Sequence, residues 1–134
     1  MASDTAKETC EVSDNTNTYL AVFVGSKNSP NRAAWDALPE AQRRAKEQEG
    51  IAAWGAWAQK HAAAIVTFGG PVGKTKRVTA RGIADVSNEI GGFTVVRADS
   101  PQSAAALFER HPHFSIFPGD GVEVMPIMPI PGGK

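Results

Sequence analysis

The order in which β-like and helix-like segments follow one another is the strongest constraint on this chain. Residues 18–25, TYLAVFVG, are aromatic and β-branched and stop at glycine, the pattern of a strand buried on at least one face. No second strand follows at once. The next stretch, SKNSPNRAAWDALPEAQRRAKEQEGIAAWGAWAQKHAAA, carries two helix starts, Ser29 before Pro30 and Leu38 before Pro39. In each, proline falls in the first turn, where its missing N–H is harmless. In the longer helix Ile51, Trp54, Trp57, Ala58, His61 and Ile65 recur at three- and four-residue steps as an apolar stripe, behind the charged Arg43, Arg44, Lys46, Glu47 and Glu49. Gly50 and Gly55 each cost about 1 kcal/mol relative to alanine in a helix, which implies close packing or a bend.

Three β-like segments come next: IVTF at 65–68, KTKRVTARGI at 74–83 and IGGFTVVRA at 90–98. Asp99, Ser100 and Pro101 then start a helix AAALFERH with Ala104, Leu107, Phe108 and His111 on one face. VEVMPIMPI ends the pattern as a last strand, its prolines suited to an edge. Strand, helices, three strands, helix, strand is a split β-α-β order, which predicts a ferredoxin-like α+β sandwich. Such a sheet carries helices on one face only, so an apolar second face has to meet a partner. Two such sheets face to face make a dimeric α+β barrel, and a homodimer is the expected assembly.

Composition narrows the function classes. With 134 residues, 42% hydrophobic and 21% charged, the chain fits one globular domain. Fourteen Lys+Arg balance fourteen Asp+Glu, so no field draws it to nucleic acid or to an anionic membrane. Cys10 stands alone, which excludes a disulfide framework and a cysteine zinc site and points to a reducing, cytoplasmic address. No apolar run approaches the ~20 residues of a membrane span, and MASDTAKETCEVSDNTNT lacks a signal peptide's apolar centre. Residues 1–16 read as a flexible tail, as do 131–134 at the other end.

Two motifs suggest nucleotides or RNA and fail on spacing. FGGPVGKT has the Gly-Lys-Thr of a phosphate loop, but the glycine required five positions earlier is Phe68, and TKRVTARGI after it is strand-like, not a helix start. The stretch is expected to end the second strand and turn, with Gly69 and Gly70 making the bend and Lys74 in water. GGFTVV lacks the alternate aromatics and the preceding basic residue of an RNA-stacking strand.

Three stretches carry a resemblance: the tryptophan-bearing helix running into AAAIVTFGGPV, the segment IGGFTVVRADSPQSAAALFERHP, and the closing VEVMPIMP. In this order they resemble the YCII-related family, over roughly residues 18–128. The resemblance implies a domain over 17–130, the dimeric barrel, and a pocket at the sheet for a small molecule, with no cofactor. It also implies acid–base chemistry by a histidine–aspartate pair. The family's Asp-Pro pair at the end of the second helix is here His111-Pro112, and its histidine position corresponds to about Ala53 or Trp54. Another branch's Asp-Gly-Pro-Phe turn is replaced by Ala80, Arg81, Gly82 and Ile83, and Met125 stands where many members have arginine.

Imidazole titrates near neutrality, so the three histidines are the candidate acid–base groups. His111 and His113 bracket Pro112 in HPHF just past a helix C-terminus, where the helix dipole would favour a protonated ring. They are the expected catalytic residues, with Asp120 or Asp85 orienting one ring; Asp120 also suits a turn in FPGDG. Trp54, His61, Phe23 and Phe93 are the expected substrate contacts. Two histidines two apart, with no third ligand nearby, argue against a metal. The expectation is a lyase- or hydrolase-type acid–base enzyme for a small organic acid or lactone. The alternative is a non-catalytic small-molecule-binding or assembly domain that has lost the histidine–aspartate pair.

Overall fold

The computed structural model describes residues 17–131. The N-terminal tail expected over 1–16, with Cys10, and all of the C-terminal tail but Pro131 lie outside the described residues. Ten elements run in the order β1 (Thr18–Val24), α1 (Pro30–Asp36), α2 (Glu40–Lys60), β2 (Ile65–Pro71), β3 (Thr75–Thr79), β4 (Gly82–Val86), β5 (Ile90–Arg97), α3 (Pro101–Ala106), α4 (Pro112–Ser115) and β6 (Gly121–Pro126) among those residues.

The main sheet has the order β2-β5-β1-β6, with every neighbouring pair antiparallel. This is the ferredoxin-like α+β arrangement expected from the segment order. One expectation is corrected: KTKRVTARGI is not a single strand. The chain reverses at Ala80 and Arg81, and β3 and β4 pair as a separate hairpin inserted between β2 and β5, with Val78 opposite Ile83. Gly82 takes φ 115°, a conformation that L side chains rarely adopt.

Alternation along β1 sorts the two faces of the sheet. Tyr19, Ala21 and Phe23 point toward the helices and form the core with Val96, Trp57, Ala104 and Phe108. Burying each of the large side chains stabilises the fold by about 1.5–3 kcal/mol. The Trp57 indole N–H also donates to the Leu107 carbonyl at 2.8 Å, tying α2 to the end of α3. The register pairs Leu20 with Val95 and Met125, and Val22 with Phe93, so these apolar side chains share the opposite face.

Helix boundaries follow the caps. The Ser29 hydroxyl accepts from Arg32 N–H and the Ser100 hydroxyl from Ser103 N–H, both ahead of a proline, as expected. In α2 the cap is Pro39 itself, one residue later than expected, with no side-chain cap bond. Glu40 and Arg44 are a 2.7 Å pair at i,i+4 on its solvated side. The expected stripe on α2 is only partly inward: Trp57 is buried, but Ile51 is 67% exposed and Ile65 belongs to β2. AAALFERH also ends early. Its helix stops at Ala106, the chain turns through Arg110 at φ 58°, and α4 begins anew after His111.

Candidate functional site

Where α2 stands off from the β2–β5 edge of the sheet there is a cavity of about 580 Å³, within the roughly 300–1,000 Å³ usual for small-molecule sites. Helix α2 supplies Ile51, Trp54 and Gly55, strand β2 supplies Phe68, Gly70 and Pro71, and β5 supplies Gly91, Gly92 and Phe93. Phe23, His113 and Phe117 complete the wall. The glycines explain the space. A Cβ on Gly55 would meet nothing within 4 Å, so its missing side chain is part of the void, and Gly70 borders it with backbone alone.

FGGPV therefore has a different role from the expected turn. Strand β2 continues to Pro71, with irregular register between Thr67 and Gly70. Gly69 has φ 70°, and a side chain there would strike the Phe93 carbonyl oxygen. Gly50 shows the opposite case to Gly55: a Cβ would run into the Phe117 ring. Phe117 packs on Trp54 and Trp35, with ring centroids 6.2 and 5.9 Å away. Sequence reading missed Phe117, Phe68 and Ile51 as cavity residues; the glycine opposite Phe117 in an otherwise strong helix was the available signal.

The two histidines of HPHF have unlike surroundings. His111 is completely buried, with Trp54, Trp57 and Phe23 at centroid distances of 4.5, 4.6 and 5.0 Å. Its Nδ1 accepts from the His113 backbone N–H at 3.0 Å and caps α4. The proton is therefore on Nε2, which has no hydrogen-bond partner. Burial first, then the neighbouring His113 and His61, push its pKa down to about 4. The expectation of a ring protonated by a helix C-terminus is thus reversed. His111 is a neutral N-cap, because a charge among aromatic rings loses far more hydration than a helix end restores.

His113 is half-buried and lines the cavity. Its Nε2 lies 2.8 Å from the Val24 carbonyl oxygen. A carbonyl only accepts, so Nε2 carries the proton and Nδ1 holds the lone pair. Burial lowers its pKa, partly offset by the bond to Val24 and the charge of Asp120. The neutral ring at pH 7 is a proton acceptor in form. Gly119 is required beside it, since a Cβ there would collide with the His113 ring.

The remaining expected residues divide. Phe23, Trp54 and Phe93 border the cavity. Phe93, however, is in register with Val22, which turns its side chain to the other face of the sheet. His61 caps the C-terminus of α2 against Trp57, 5.4 Å between centroids, away from the cavity lining. The Asp120 carboxylate accepts from Ser26 N–H at 2.8 Å, and Asp85 pairs with Lys76 at 2.6 Å in the hairpin. No carboxylate hydrogen-bonds either HPHF histidine among the described residues. Nor do those residues hold a cluster of three or more His, Cys, Asp or Glu that could bind a metal ion.

No protein-family model matches the sequence, and no curated protein does. Among solved structures, the chain is similar to 5-chloro-2-hydroxyhydroquinone dehydrochlorinase from Burkholderia phenoliruptrix AC1100, in complex with 2,5-dihydroxybenzoquinone. That likeness has 17% identity and a TM-score of 0.48, and covers 83% of this chain and 93% of the other. No helix among the described residues is long and apolar enough to cross a membrane.

Proposed function

We propose that this chain is a YCII-related, cytoplasmic, homodimeric protein with one domain over residues 17–130. Its function is acid–base chemistry of lyase or hydrolase type on a small organic acid or lactone. One observation carries the reading: His113 presents a neutral imidazole in the wall of an apolar cavity of about 580 Å³. In this reading the ligand's apolar part lies against Phe23 and Trp54, and His113 Nδ1 takes a proton from it. His111 does not meet the ligand; it holds the backbone of His113 in place. The dimer is supported by the apolar face formed by Leu20, Val22, Phe93, Val95 and Met125.

The test has two steps. A thermal-shift screen of small organic acids and lactones identifies ligands, because binding to the native state raises its melting temperature. Turnover of a hit is then compared with that of His113→Gln. Loss of general-base help is expected to lower the rate by about 10²–10⁴-fold while melting shifts little. An unchanged rate would sink the catalytic role.

A second reading has its own support. His113 has its proton bonded to a backbone carbonyl and no carboxylate partner, as in a binding domain that has lost the acid–base pair. It predicts that hits bind and none is converted by the wild type.

A further inference from the structure

A second space, also about 580 Å³, adjoins the apolar cavity. Its walls are of a different character: Lys27 and Asn28 from the loop after β1, Arg32 of α1, and Asn88 and Glu89 ahead of β5. The two spaces have Gly91, His113 and Phe117 in common, so one imidazole and one phenyl ring form the partition between them. Lys27 and Arg32 are the cations of this lining; Glu89 is its carboxylate, and the Asp120 carboxylate accepts from the lining's Ser26 N–H at 2.8 Å. Arg32 is already bonded through Nε to Asp36 at 3.2 Å. The Lys27 ammonium has no such partner among the described residues, and its charge is available to a ligand.

We infer that the polar space is the head-group compartment of the same site. It takes the carboxylate of a ligand whose apolar body lies in the cavity, with Lys27 as the residue that selects the anion. This rests on the cavity being a small-molecule site, as proposed above, and adds the orientation. A molecule lying across both spaces passes His113 at its middle. The imidazole then faces the atoms joining body to carboxylate, and a ligand too short to reach past the partition forgoes Lys27.

The experiment is titration calorimetry with two probes that share a body and differ in their head, 3-phenylpropanoate and 3-phenylpropanol. Wild type is expected to bind the carboxylate at least tenfold more tightly. In Lys27→Met the two probes are expected to bind alike, with the alcohol's affinity unchanged. Gly55→Leu fills the cavity from the helix and is expected to remove binding of both probes. Equal binding of the two probes by wild type, or a preference that survives in Lys27→Met, overturns the head-group compartment and leaves the cavity reading standing. No binding of either probe to wild type, or binding untouched by Gly55→Leu, overturns the two together.

Discussion

His111 is a buried base whose protonation the fold opposes, and this has a sign. An exposed histidine in the unfolded chain titrates near 6.5, whereas the native ring titrates at about 4. Between those values the unfolded state holds a proton that the native state does not, so stability falls as pH drops from about 6.5 to 4 and is flat above. The shift is worth about 3 kcal/mol if fully expressed. The lowered pKa of His113 acts in the same direction. Urea denaturation of wild type and His111→Phe between pH 5 and 7 measures it. The phenyl ring keeps the volume but loses the cap, costing about 0.5–2 kcal/mol, and is expected to flatten most of the pH slope. An equally steep slope in the variant would remove His111 as its source. HPHF was legible as a pair of candidate histidines, one of which lines the cavity. Which of the two rings meets the cavity was not, because burial is a property of the neighbours across space.

At the scale of the element, α2 contains two glycines with opposite reasons. Gly50 gives Phe117 room, whereas Gly55 faces open space. Gly50→Ala gains about 1 kcal/mol of helix propensity but forces the ring aside at about 1–3 kcal/mol, so a net loss of stability is expected. Gly55→Ala is expected to stabilise by up to about 1 kcal/mol. Chemical denaturation of the two variants should show opposite signs, and a matching sign would refute one of the two roles. Helix starts at Ser29 and Ser100 could be read directly, since a cap acts within three residues. The β3–β4 hairpin could not. Its turn, Ala80-Arg81, lacks the Asn-Gly or Asp-Gly signature, and both arms are β-branched enough to pass for one strand.

For the whole molecule, the apolar face of the sheet away from the helices is where the proposed dimer would form. Leu20 and Met125 lie opposite one another on it, and a charge at each should prevent two sheets from meeting. Sedimentation is expected to give twice the single-chain mass for wild type and one chain for the Leu20→Glu/Met125→Glu double variant. A wild type running as one chain would contradict the dimer. The ferredoxin-like order was readable because strand and helix periods are local and the split β-α-β order admits few topologies. In the sequence, Phe68 and the glycines after it carry part of a phosphate-loop pattern and fail its spacing. Only tertiary structure turned them into a cavity wall, because a void is bounded by residues that three elements bring together. Local pattern thus determined the elements and their order, apart from the β3–β4 hairpin and α4. Packing decided which faces are apolar and open, which histidine is accessible, and where a ligand has room.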